Sequence, residues 1–380
     1  MSELRWDPID QQWTLIATER GKRPRDFLPP EQKLVDRDKA PCPFCLVLAG
    51  HGNQVRIAER RRVRQSPDSA SRTTEDKVLV LANRFPVLSV ETPTERRAVG
   101  PYDCMSGVGA HEVVVETTQH DLHFSTMPPE QRAQVLLMWR DRVADLLRDR
   151  RFHHIQVFRN DGPRAGATLE HAHSQVIATP IRPARTCRQV AAARDHWRSK
   201  ERCLVCDILD FETSHPSSPG DTQSMHRIVD EEGDFIAWCP YASRHPFEVV
   251  IAPRAHQARF TALGDEQSLP LARLLGRVLC ALGEALSGAD INLVLDLPPS
   301  SETLSRGNLG LEHVASFWHW RIELIPRLLP YGGFELGTDI QINPTAPEDA
   351  ARHLRALIDQ TRTDRTRTDR TRGATDKPGG

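Results

Sequence analysis

Tyrosine is the scarcest aromatic in this sequence: three in 380 residues, with no interleaving of aromatic and basic residues to compensate. Proteins that hold nucleic acid strands stack bases on aromatics along a basic groove, so that class has little to build on here. An excess of charge is also missing, because 50 Lys and Arg stand against 51 Asp and Glu, a net charge of -1. Without a basic surplus, neither nucleic acid nor an anionic membrane is drawn in by bulk electrostatics. No stretch reaches the ~18 consecutive apolar residues of a membrane span. The start, MSELRWDPIDQQW, lacks a basic segment followed by an apolar one, so the expectation is a cytoplasmic protein without a secretory leader. Eight cysteines are too few for a disulfide scaffold at this length.

Four of those cysteines form two C-x-x-C pairs, Cys42/Cys45 and Cys203/Cys206, a spacing that in a reducing compartment points to metal. Around them, strand and helix patterns alternate. LVLANRFPVLSVE, HEVVVETT, HHIQVFRN and HSQVIATP read as strands, and PPEQRAQVLLMWRDRVADLLRD as an amphipathic helix. The order then returns, with strands DFIAWCPYA, FEVVIAP, INLVLDLP and WRIELIPRL around the helix LPLARLLGRVLCALGEALSG. The basic run from Arg56 to Arg64 is expected in a surface loop. The end, TRTDRTRTDRTRGATDKPGG, has no large apolar side chain and is expected to be disordered.

The two halves match in detail. Glu112–His120 lies without gaps on Glu248–His256, and His171-Ala-His-Ser-Gln-Val-Ile lies on His319-Trp-Arg-Ile-Glu-Leu-Ile. Each half thus runs C-x-x-C, strand ending in His, helix, then His at the start of a strand. The expected fold is α+β, a tandem duplication with antiparallel sheets and flanking helices. Its domains are 1–195, 196–358 and a disordered tail, 359–380. Each half offers four N/S donors of the kind zinc takes tetrahedrally: Cys42, Cys45, His120 and His171, then Cys203, Cys206, His256 and His319. His111 and His245 compete as ligands, but in the overlay neither has a counterpart.

His171-Ala-His173-Ser-Gln175 places three polar side chains on one face of an extended strand. If His171 is a ligand, His173 is held rigidly beside it, and a neutral imidazole is a nucleophile toward phosphorus. Gln175 supplies an amide donor for charge building on a phosphoryl oxygen. Upstream, Asn160-Asp-Gly-Pro-Arg-Ala-Gly-Ala-Thr168 is a small-residue loop suited to phosphate. In the second half Arg321 and Glu323 replace His173 and Gln175, and a guanidinium cannot act as the nucleophile. One active site per chain is expected.

Taken jointly, PCPFC, the strand ending at His120, FRNDG, HAHSQ and GGFELGTDIQINP resemble the galactose-1-phosphate uridylyltransferases, the transferase branch of the histidine-triad superfamily, over residues 5–358. The resemblance implies histidine-triad-like modules, the first catalytic and the second degenerate. It implies that His173 takes UMP from UDP-glucose and that galactose 1-phosphate then collects it, a ping-pong route with Gln175 stabilising the intermediate. It also implies nucleotide or phosphate contacts from Asn83, Asn160 and Thr168, and a sugar-phosphate contact from Arg20 and Arg23 of a neighbouring subunit. Glu335 and Gln341 would bind the hexose hydroxyls, which makes a homodimer with shared sites. Leu329 stands where well-known members carry a basic residue. Many members hold iron in the second half, whereas the second C-x-x-C here resembles a two-zinc branch. That branch includes a plant-type ADP-glucose phosphorylase, in which phosphate accepts an adenylyl group. A zinc-ribbon protein binding nucleic acid is the reading from another class, and the charge balance opposes it. Without the last 20 residues the core holds 44 basic and 48 acidic residues, so phosphate affinity has to be built locally.

Overall fold

Runs such as Val78-Leu-Val-Leu81 and Val113-Val-Val115 are apolar at every position, which requires a core on both sides of the strand. The structure, a computed structural model, meets that requirement. It describes residues 2–20, 41–51, 54–63, 75–214, 226–300 and 314–375; for 20, 62, 63, 75 and 364–375 only the backbone is described.

The chain opens with a hairpin, β1 (Glu3–Asp7) and β2 (Gln12–Ile16), then a short helix, α1 (Pro43–Leu48). The first half continues with β3 (Arg56–Val63), β4 (Glu75–Ala82), a ribbon of β5 (Arg96–Val99) and β6 (Tyr102–Met105), and β7 (Ala110–Val115). Helix α2 (Pro129–Leu146), β8 (His154–Asp161) and β9 (His173–Thr179) complete it. Helices α3 (Ala184–Lys200) and α4 (Leu204–Ser214) lead into β10 (Ile228–Glu232), β11 (Phe235–Trp238) and β12 (Val249–Pro253). Helix α5 (Asp265–Ala285), β13 (Ile291–Asp296) and β14 (Arg321–Pro326) follow. Finally β15 (Gln341–Asn343) joins β2 in parallel, and a last helix spans Pro347–Thr375.

Among the described residues, ten strands make one antiparallel sheet in the order β10-β11-β12-β14-β13-β8-β9-β7-β4-β3. Phe158 pairs with both Gln175 and Val294, and Val294 pairs with Glu323. A pseudo-two-fold axis therefore passes between Phe158 and Val294, and the halves join at β8 and β13. One face packs α2, α5 and the last helix against Val78, Val80, Val114, Val176, Ile251, Leu293 and Ile322. On the other face α1 covers Leu79, Leu81, Val113 and Val115, and α4 covers Ile236, Trp238, Val250 and Ala252. The α+β duplication expected from the sequence is thus realised as one shared sheet.

Four local expectations change. Val113 faces Gln175 while Val250 faces Glu323, so β7 and β12 correspond one residue away from the gap-free overlay. Glu248 consequently takes the place of His111, and the stretch from strand to His256 is one residue shorter than that to His120. The basic run from Arg56 is a strand, not a loop: Arg60 pairs with Asp141 at 2.6 Å and Arg56 donates to the Val47 carbonyl at 2.9 Å. It is the sheet's edge, where charged side chains discourage further strand pairing. The strand expected through LVLANRFPVLSVE stops at Ala82, because Asn83 Oδ1 accepts the Phe85 N–H in a local turn before Pro86. Lastly, the final helix carries its backbone through the segment from 359 that was expected to be disordered, as far as Thr375. Ala350, Leu354 and Ile358 anchor it to the core, Arg362 pairs with Asp230 at 2.7 Å, and a nucleated helix extends cheaply.

Candidate active site and metal centres

Cys42 caps α1 and Pro43 starts it, so the first turn brings Cys45 back beside Cys42, with the Leu46 N–H donating to the Cys42 carbonyl at 3.1 Å. The strand ends of β7 and β9 bring in His120 and His171. Cys45 Sγ lies 3.4 Å from His120 Nδ1 and 3.5 Å from His171 Nδ1, and Cys42 Sγ lies 3.8 Å from the latter. In the second half, Cys206 Sγ is 3.5 Å from His256 Nδ1 and 3.6 Å from His319 Nδ1. Within each tetrad the four ligand atoms lie within 4.8 Å of one another, and these are the two Cys/His groups so arranged among the described residues.

These separations fit a tetrahedral ion, whose S and N ligands at ~2.3 and ~2.05 Å stand about 3.5 Å apart. The tautomers fit as well. His171 Nε2 donates to the Thr117 carbonyl at 2.9 Å, His319 Nε2 to Pro253 at 2.9 Å and His256 Nε2 to Ala315 at 2.8 Å. Each bond leaves Nδ1 unprotonated toward the sulfurs. His111 and His245, the competing candidates, belong to neither group.

From His171 the strand passes directly to His173, whose ring is buried and packs on Phe44 of α1, centroids 5.2 Å apart. His173 Nδ1 donates to the His171 carbonyl at 2.8 Å, which puts the lone pair on Nε2. Burial lowers its pKa below the usual 6.5, against the opposing pull of that carbonyl, so the ring is neutral. Between His173 and Gln175, Ser174 points to the other face and accepts the Trp139 indole N–H at 2.8 Å. The strand is thereby fixed to α2.

Gln175 has a partner that sequence reasoning weighed only as a metal ligand. His111 Nδ1 accepts the Val87 N–H at 3.2 Å, so its Nε2 is the donor to Gln175 Oε1 at 2.8 Å. Asn83 Nδ2 lies 2.9 Å from the same Nε2, a contact between two N–H groups and not a hydrogen bond in this tautomer. With the Gln175 carbonyl engaged, its amide hydrogens remain for a ligand. The signal for His111 was its parity: β7 and β9 pair, and His111 shares the face of Val113, opposite Gln175.

His173, Gln175, His111 and Asn83 thus form one cluster, and Asn160 shares their face of the sheet. Thr168 lies between the β8 turn and His171. Glu335 and Gln341 stand elsewhere: Glu335 caps its own helix, Gly333–Thr338, through the Gly332 N–H at 3.0 Å, and Gln341 pairs with Thr14. Neither is hydrogen-bonded to the His173 cluster. Arg23 lies outside the described residues, and so does the side chain of Arg20, whose backbone ends a 3-10 turn.

The corresponding place in the second half is filled with ion pairs. Arg321 pairs with Asp296 at 2.5 Å, Arg185 with Glu323 at 2.6 Å and Asp10 at 2.9 Å, and Arg244 with Glu323 at 3.2 Å. Burial works against ionising Glu323, yet the guanidiniums, Arg185 foremost, hold its pKa well below the usual carboxylate range. Where the first half carries His173, the second half carries a closed charge network.

Residues 1–183 match the family model for the galactose-1-phosphate uridyl transferase N-terminal domain. The chain is 30% identical to an ADP-glucose phosphorylase of Arabidopsis thaliana, with 93% of each chain covered. It is 28% identical to a galactose-1-phosphate uridylyltransferase of Thermotoga maritima, covering 93% of this chain and 98% of the relative. The solved ADP-glucose phosphorylase from Arabidopsis thaliana with bound ADP-glucose superposes with a TM-score of 0.71 at 26% identity, over 93% of this chain and 99% of that one. With the two Cys/His tetrads, the H-x-H-x-Q strand and the duplicated sheet in agreement, the chain belongs to the galactose-1-phosphate uridylyltransferase family of nucleotidyltransferases.

Proposed function

We propose that this enzyme passes a nucleoside monophosphate from a nucleotide sugar to an acceptor through His173, with UDP-glucose as donor and galactose 1-phosphate as acceptor. The supporting observation is the neutral, buried His173 with its Nδ1–H tied to the backbone and its lone pair on Nε2. Nε2 attacks the α-phosphorus; a P–N bond forms, the P–O bond to the β-phosphate breaks, and glucose 1-phosphate leaves. A phosphate oxygen of galactose 1-phosphate then attacks the same phosphorus and the P–N bond breaks, giving UDP-galactose. Gln175 donates its amide hydrogens to a non-bridging oxygen as charge accumulates. A neutral amide cannot protonate a leaving group, which suits transfer rather than hydrolysis.

Two zinc ions per chain belong to this reading, since two thiolates and two imidazoles in each tetrad are a donor set that zinc takes tetrahedrally. When bound, such an ion contributes folding stability and takes no part in the bond changes. A homodimer supplies the missing contacts. Glu335 and Gln341 sit apart from His173, and both regions expose large apolar side chains: Phe85 and Val87 beside His111, Phe334 and Leu336 around Glu335. Arg20 and Arg23 complete the sugar-phosphate contacts from the partner subunit.

A second reading has its own support. The 30% identical relative is an ADP-glucose phosphorylase, which favours an adenylyl donor and inorganic phosphate as acceptor at the same His173. Rapid mixing with labelled UDP-glucose or ADP-glucose, followed by trapping of labelled protein, separates the two. The expected result is an adduct from UDP-glucose that galactose 1-phosphate discharges. An adduct from ADP-glucose alone selects the second reading, and no adduct from either sinks both.

The pH profile of adduct formation follows from the lowered pKa of His173. Its unprotonated form persists to lower pH than that of an ordinary imidazole, so the decline in rate with falling pH should be centred below 6.5. A decline centred at or above 6.5 contradicts the assignment.

A further inference from the structure

Asn292 belongs to none of the motifs above, yet it directs its side-chain amide at the first half of the chain. β13 and β8 pair so that Asn292 lies opposite Asn160, on the face that carries His173 and Gln175. Asn292 Nδ2 donates to Asn160 Oδ1 at 2.9 Å and to the Ala165 carbonyl at 2.8 Å. The first bond fixes which way the Asn160 amide faces: its oxygen is taken by Asn292, and its Nδ2 turns toward the loop, where a Cβ on Gly166 would approach it to 3.3 Å. The second bond ties down the loop itself.

Asp290, two residues earlier, grips the other arm. Its carboxylate accepts the Arg164 N–H, and its carbonyl accepts the Arg327 N–H from the end of β14 at 2.8 Å. The approach is possible because Gly162, at φ +87°, has no Cβ; one built there would fall 2.2 Å from Asp290 Oδ1. Gly166 also sits in the left-handed region, at φ +94°. A loop hinged on two such glycines has wide backbone freedom when left alone. Here two side chains of the second half remove that freedom.

We propose that Asn292 is a positioning residue of the active site, holding Asn160 and the 160–168 loop in the orientation that receives the donor's phosphates. The inference rests on the reading that this loop takes phosphate. It gives the second half a part in the chemistry although it has no nucleophile of its own. Without Asn292 the Asn160 amide can flip and present its oxygen to an anion, which repels it. A displacement of about 1 Å in such a contact can cost on the order of 100-fold in rate.

The test is single-turnover adduct formation from labelled donor by Asn292→Ala, Asn292→Asp, Asn160→Ala and the Asn160→Ala/Asn292→Ala double variant. Asn292→Ala should form adduct at full stoichiometry but about 10- to 100-fold more slowly, with a weaker donor dependence. Asn292→Asp keeps the shape without the amide hydrogens and should be equally impaired. The double variant should be slower than Asn160→Ala by less than the loss Asn292→Ala causes alone, because Asn292 acts in part through Asn160 and in part through the Ala165 carbonyl. A normal rate in Asn292→Ala overturns the inference, as do losses that multiply in the double variant. A reduced adduct stoichiometry at normal rate overturns it too, since that is the mark of a merely structural role. If Asn160→Ala itself forms adduct normally, the phosphate reading of the loop fails instead.

Discussion

His173→Ala is expected to lose nucleotidyl transfer by about 10⁴-fold or more, with no labelled adduct, while keeping its fold and full metal content. The size follows from the role: without an imidazole nitrogen there is no group to form the P–N bond, and nearby donors bind the phosphates without replacing that step. The fold survives for a geometric reason. His173 is adjacent to a metal ligand without being one, and its removal loses packing on Phe44 and one bond to the His171 carbonyl. That loss should lower stability by about 1–3 kcal/mol, a modest fall in thermal midpoint. Transfer at near wild-type rate in this variant would refute the nucleophile assignment. A collapse of metal content would instead show that His173 helps to hold the first centre.

The second large effect separates the two metal centres. Cys203→Ser should lose one metal ion per chain and destabilise the fold by several kcal/mol, lowering the thermal midpoint by roughly 10 °C, while folded molecules still form adduct at close to the normal rate. Cys45→Ser should lose a metal ion and comparable stability, and adduct formation should fall with it. The difference lies in what each centre anchors. The first centre includes His171, whose carbonyl holds His173 Nδ1, and α1, whose Phe44 packs against His173. The second includes His319, and the strand after it leads only to Arg321 and its closed ion pairs. Metal analysis with thermal unfolding checks the pair, with about two zincs expected in the wild type and about one in each variant. Cys203→Ser with a normal midpoint and full metal content contradicts the picture.

Much of this was legible in one dimension because the chain is written twice. The C-x-x-C pairs, His120 and His256, and His171 and His319 identify each other through the repeat, and all eight meet in the two tetrads. The core strands were legible for a related reason: apolar runs such as Val113-Val-Val115 mark burial on both faces. Less visible was anything that depends on register. The gap-free overlay of Glu112–His120 on Glu248–His256 hid a shift of one residue, and the side-chain contact of His111 with Gln175 was hidden as well. The run from Arg56 to Val63 gave no sign of being a strand, because charge on an edge strand looks the same in sequence as charge on a loop.

By itself the sequence determined the duplication, both Cys/His sets, the H-x-H-x-Q strand and which half keeps a histidine in the place of His173, since each is a matter of residue type at a fixed local spacing. Only the tertiary structure decided that the halves share one sheet through β8 and β13, that His111 orients Gln175, and that Asn292 reaches across to Asn160. Those contacts join residues 64 and 132 positions apart, and strand register and turn geometry alone bring them within 3 Å.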